Sequence, residues 1–119
     1  MALDLTQTVP RSPFDEVGGF PWLPRVIDKA RAYFAGTHGE YSAYPCPGDK
    51  SFLSHFGIES APLGELIKSG ADDAAIAAWV QTHAKQADDA TKAAFRKQLR
   101  SPEPNPLLKL ALWVFTRKN

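Results

Sequence analysis

Ten prolines and eight glycines break this 119-residue chain at short intervals. Proline fixes one backbone torsion and lacks an N–H, and glycine tolerates left-handed conformations, so both punctuate regular structure. Pro10, Pro13, Pro21 and Pro24 fall within the first 24 residues. They predict an irregular N-terminal arm, with at most one turn of helix at Phe14–Val17 that stops at Gly18-Gly19. The later breaks leave stretches long enough for short helices. No stretch alternates apolar and polar residues over a strand's length, so a sheet is not expected.

Between the breaks the apolar residues recur at three- and four-residue steps. Leu23, Val26, Ile27, Ala30 and Phe34 predict one helix stripe, with Pro24 in the first turn and Gly36 after the end. Residues 37–48 read as a loop, with a short extended piece at Tyr41–Tyr44. Asp49 is the expected N-cap of the next helix, which faces Phe52, Leu53 and Phe56 inward and closes at Gly57. Ser60 is the expected cap of a third helix that packs Leu63, Leu66 and Ile67 and ends at Gly70.

Two further helices follow. Asp72 and Asp73 suit the positive end of a helix whose stripe is Ala75, Ile76, Trp79, Val80 and His83. The stretch from Asp88 to Ser101 begins with acids, ends with bases and offers Ala94, Phe95 and Leu99 for burial. A proline-stiffened linker over 101–106 leads to an apolar segment, Leu107–Phe115, and a basic end. The expectation is an all-α fold: a single small domain over 1–119, with about five to seven short helices behind an irregular, Pro-rich arm.

Composition narrows the function classes. Apolar residues at 44% and charged residues at 23% are ordinary for a globular chain. One cysteine, Cys46, cannot form an internal disulfide, and a reducing compartment fits. The N-terminus lacks the basic start and apolar run of a signal peptide. The apolar stretch at 107–115 is short of the roughly 20 residues that span a bilayer, so no membrane span is expected. A soluble, cytoplasmic protein is the expectation.

The net charge of +1 conceals a split, −5 over 1–91 and +6 over 92–119. Phosphate-backbone binding usually takes a denser basic stripe, so nucleic acid is an unlikely partner. Burial within the chain, a homo-oligomer contact or another protein partner accounts better for 107–115.

The reactive side chains gather between Thr37 and Gly57. His38-Gly39-Glu40 followed by Pro45-Cys46 superficially resembles the zinc elements of nucleobase deaminases. The second thiolate position is Asp49, however, and the two elements stand too close together, so that reading fails. Without paired Cys spacing no metal site is assigned. Cys46 between two prolines is expected to be a buried thiol, since Asp49 opposes a thiolate. On the preceding helix Arg25 and Asp28, or Asp28 and Arg31, stand one turn apart and can pair. A partly buried Arg25–Asp28 pair would anchor the loop carrying Glu40 and Tyr41. The aromatic residues Trp22, Tyr33, Tyr41 and Tyr44 near this loop are expected mainly in packing.

Several short elements occur in an order that resembles a bacterial family known only as a domain of unknown function, DUF5069. They are Asp4-Leu5-Thr6, Pro10 to Pro13, Gly18-Gly19, Trp22 to Arg25, Ile27 to Ala32, Gly39 to Tyr41 and Cys46 to Asp49. The resemblance covers residues 3–82. It implies a small helical domain and carries over no activity, cofactor or catalytic residue. It directs attention to Arg25, Asp28, Lys29, Arg31, Glu40, Tyr41, Cys46 and Asp49 as candidate ligand-binding residues.

No catalytic residue, metal or cofactor is assigned from these readings. The leading expectation is a non-enzymatic binding or protein-interaction module. The alternative is a small-molecule-binding protein or enzyme with a pocket around Arg25, Asp28, Glu40, Tyr41 and Cys46.

Overall fold

The structure, a computed structural model, describes residues 4–41 and 43–101. The segment 101–119 singled out above lies outside them, apart from Ser101. Five helices and one two-stranded hairpin make up the described residues: β1 Glu16–Val17, β2 Phe20–Pro21, α1 Leu23–Phe34, α2 Pro47–Phe56, α3 Ser60–Lys68, α4 Asp73–His83 and α5 Asp89–Leu99. The fold is mainly helical, as expected. No helix among the described residues is long and apolar enough to cross a membrane.

The hairpin replaces the turn of helix expected at Phe14–Val17. Val17 faces Phe20 and Glu16 faces Pro21 in an antiparallel pair. Gly18 and Gly19 both have positive φ, 60° and 78°. A two-residue turn with that geometry matches the right-handed twist of paired strands, and only glycine enters it freely. A Cβ on Gly18 would also stand 2.8 Å from the Ala77 side chain. Pro21 is tolerated because this ladder has a free edge.

Helix α1 runs through the middle of the molecule. Nine of its twelve residues are buried, so its polar residues are enclosed along with its apolar stripe. The stripe packs as expected at Leu23, Val26, Ile27 and Ala30, whereas Phe34 is 36% exposed. Around it close Phe52, Leu53 and Phe56 of α2, Leu63 and Ile67 of α3, Ile76 and Val80 of α4, and Phe95 and Leu99 of α5. Phe20 enters from the hairpin and meets the Phe56 ring edge-on at 5.1 Å. Phe52, Phe56 and Phe95 complete an aromatic centre with ring separations of 5.0–5.8 Å.

The helix ends hold smaller corrections. Helix α2 starts three residues earlier than expected, at Pro47, with Cys46 as its N-cap and Asp49 inside the first turn. Proline suits that first position because its missing N–H has no helical partner there. Glu59, not Ser60, precedes α3. Asp72 and Asp88 do cap α4 and α5, accepting from Ala75 N and Thr91 N at 2.8 Å each. Ala75, His83 and Ala94 are exposed, since short helices on the surface bury only the narrow centre of their stripes. His83 stacks on Trp79 at 4.3 Å. In the expected extended piece at Tyr41–Tyr44, Ser42 lies outside the described residues and the other three form no strand.

Candidate functional site

The eight candidate residues fall into two groups joined through α1. The first centres on Cys46. The Lys29 ammonium donates to Cys46 Sγ at 3.2 Å. Lys29 Nζ also lies 5.8 Å from the centre of the Tyr41 ring. Asp49 Oδ2 accepts the Cys46 N–H at 3.1 Å, and Asp49 Oδ1 accepts the Trp22 indole N–H at 3.0 Å. Arg25 joins the group electrostatically, through Tyr41, Cys46 and Asp49.

Enclosure of these groups is close to complete. Exposure is 3% at Arg25, 6% at Lys29, 4% at Cys46 and zero at Asp49. Charges are almost never buried without partners, because leaving water costs several kcal/mol per ion. The carboxylates are engaged by Trp22, the Cys46 backbone and an arginine described below. Burial pushes the Arg25 guanidinium down from its usual range. Burial also pushes the Cys46 thiol up, and the Asp49 carboxylate adds to that, outweighing the opposing pull of Lys29. The folded protein therefore keeps this thiol protonated near neutral pH, as a buried thiol was expected to be.

Trp22 sits in this group under strain. It precedes α1 with φ 75° and ψ −26°, the left-handed region. A bulky residue rarely enters that region, at a cost of about 1–3 kcal/mol. The indole hydrogen bond to Asp49 and 1% exposure hold it there. No sequence rule singles out a tryptophan for a positive φ.

The second group has Arg11 at its centre, a residue that the reading of the sequence passed over. Three Arg11 donors, the backbone N–H, Nε and Nη2, reach Asp28 at 2.8–3.0 Å. Arg11 Nη1 reaches Asp73 on α4 at 2.6 Å. The Arg11 carbonyl accepts from Arg25 Nη1 at 3.1 Å. Arg31 pairs with Asp73 at 3.5 Å and donates to the Ala71 carbonyl at 2.8 Å. So Asp28 is held by Arg11 from the N-terminal segment, although Arg25 and Arg31 stand one turn away on its own helix. The reason is geometric: a planar guanidinium from outside the helix meets the carboxylate in a fork that helical neighbours cannot match.

The loop residues stand at the edge. Glu40 is exposed and Tyr41 half-buried. Both line a cleft of about 470 Å³ whose other wall is Leu5 to Val9 of the arm. The arm is fastened there by the Leu5 N–H to the Thr37 carbonyl at 2.8 Å. Gly39 has φ +59° and would press a Cβ against the Leu5 carbonyl, at 3.2 Å. The structure thus gathers Arg25, Lys29, Tyr41, Cys46 and Asp49, hands Asp28 and Arg31 to the arm and α4, and leaves Glu40 at the rim. Among the described residues, no three His, Cys, Asp or Glu side chains converge as metal ligands.

The chain's resemblance to a known family rests on these same segments, and it extends further. No curated protein matches the sequence. The sequence model described as Domain of unknown function (DUF5069) matches residues 7–112, well past residue 82, where the resemblance of short motifs stops. The match takes in the hairpin and the five helices of the described residues, and the chain belongs to the DUF5069 family.

Proposed function

We propose that the protein is a non-enzymatic binding module that takes a small molecule where Arg25, Lys29, Tyr41, Cys46 and Asp49 converge. The observation that carries this reading is the burial of two cations, Arg25 and Lys29, beside a cleft that Tyr41 lines. An apolar interior of the same shape would be as stable or more so, which favours a use for the charges beyond stability. The protonated, enclosed Cys46 thiol supports binding over nucleophilic catalysis. In this reading the chain is one domain, and the lone thiol suits a reducing, cytoplasmic setting.

The test is ligand-induced stabilisation of the full chain, measured by thermal shift against a library of small metabolites. A ligand present at about 100 times its dissociation constant adds about 2.7 kcal/mol and raises the melting temperature. The same ligand should lose its effect on the Tyr41→Ala variant. A library without any saturating ligand removes the reading.

A second reading, a protein-interaction module, is favoured by a different observation. Val17, Gly18, Ala74, Ala77 and Ala78 line a largely apolar groove of about 540 Å³ between the hairpin and α4. Apolar grooves of this kind accept partner side chains.

A further inference from the structure

We infer that the apolar groove between the hairpin and α4 is covered by the chain's own segment Leu107–Phe115, folded back from the end of α5. The inference concerns the groove alone and stands apart from the proposed small-molecule site.

The groove is the uncovered side of α4. Ile76, Ala77 and Val80 pack that helix into the core. Ala74, Ala77, Ala78 and Gln81 stand three and four residues apart along the groove, and Ala74 and Ala78 are exposed. A helix that is apolar on more than one face is suited to burial on more than one. Val17 and Gly18 form the facing wall, and the short alanine side chains leave about 540 Å³ for larger side chains from outside.

Two contacts fix where the chain leaves α5. Arg96 donates to Glu16, and the Arg100 guanidinium stands 4.7 Å from the centre of the Phe14 ring. Ser101 follows Arg100, so the described chain stops beside the strand that builds the groove wall. Phe14 precedes Val17 by three residues, at most about 11 Å of extended chain. Residues 102–106, three of them proline, extend by about 3.1 Å each, so this linker reaches about 15 Å. That is long enough to bring Leu107 to the groove.

Chemistry and family membership choose the occupant. Leu107–Phe115 carries one charged residue, Lys109, among nine, and leaving such a segment in water is unfavourable. The family match runs to residue 112, so the first six residues of the segment belong to the same domain as α4. A domain buries its apolar faces against its own elements. A short tether also gives the segment a high effective concentration at its own groove, which favours this chain over a second copy.

The experiment places a nitroxide spin label on the full chain through Thr116→Cys, just past the segment, and reads amide broadening by NMR. Cys46 is buried and escapes the label. Broadening of the Val17, Ala74, Ala77 and Ala78 amides is expected, unchanged on dilution. A mixture of spin-labelled chains with isotope-labelled chains that carry no spin label should show none. Broadening in that mixture assigns the groove to a second copy and overturns the inference. Broadening centred elsewhere, or none, overturns it too and leaves the groove to an outside partner. Two variants supply a second readout. Ala78→Glu, at an exposed position, and Trp113→Glu should each lower the melting temperature by about 5 °C. The pair together should cost little more than one alone, because both break the same contact. Fully additive losses, or an Ala78→Glu chain as stable as the parent, overturn the inference.

Discussion

Asp49 is fully buried, and its two carboxylate oxygens answer two different elements, the indole of Trp22 and the start of α2. Removing the carboxylate leaves two buried N–H groups without acceptors. Asp49→Ala should therefore cost about 2–4 kcal/mol, read by denaturant unfolding. Arg11→Ala strips the buried Asp28 of three donors, but Arg11 is itself about a third exposed, and water shares the loss. About 2 kcal/mol is expected, with an arm that proteases cut sooner. Cys46 gives a pH dependence of definite sign. Its folded-state pKa is raised by burial, so the folded form holds its proton longer than the unfolded chain does. Stability is full below about pH 8.5, the ordinary thiol value, and falls as pH rises beyond it. Cys46→Ser should flatten the first part of that decline in melting curves taken from pH 7 to 10. Tyr44, also raised by burial, adds to the decline at higher pH.

At the scale of elements, the hairpin is the most sensitive piece for its size. Gly18 has φ 60° and lies against the Ala77 side chain. Gly18→Ala combines a left-handed penalty with a clash and should cost about 2 kcal/mol, seen as a lower melting temperature. The turn also sets one wall of the α4 groove, so the same variant tests whether a partner needs that groove. Helix boundaries were legible where a short acidic side chain is itself the cap, as at Asp72 and Asp88. They were misread at Cys46, because a cysteine cap carries no composition signal and Asp49 alone looks like a cap. The reciprocal bond from the third residue back to the cap explains the three-residue error.

For the whole molecule, α1 is the hub that the other elements enclose, and its burial on nearly every face places its charged residues in an interior network. The acidic-to-basic split along the chain finds partial use here. Arg96 of α5 makes two hydrogen bonds to Glu16, and Lys92 reaches the Gly18 carbonyl at 3.2 Å. If residues 107–115 form an interface, full-length protein should run as a dimer or larger by light scattering, and a chain ending at Pro106 as a monomer. A monomeric full-length chain would end the interaction reading of that segment.

The sequence by itself determined the five helices, the buried centres of their stripes, the breaks between them and the enclosed character of Cys46. Those depend on neighbours within a few positions, where torsional preference and periodicity act directly. Only the tertiary structure decided that Asp28 answers Arg11, that Trp22 takes a left-handed torsion, and that Arg25, Lys29, Tyr41, Cys46 and Asp49 share one place. Those contacts join positions many residues apart, and their partners were chosen by competition among charges inside a common core. Local pattern carries no record of that competition, which is why the arm's Arg11 could be quoted in a motif and still be overlooked as the residue that ties the motif down.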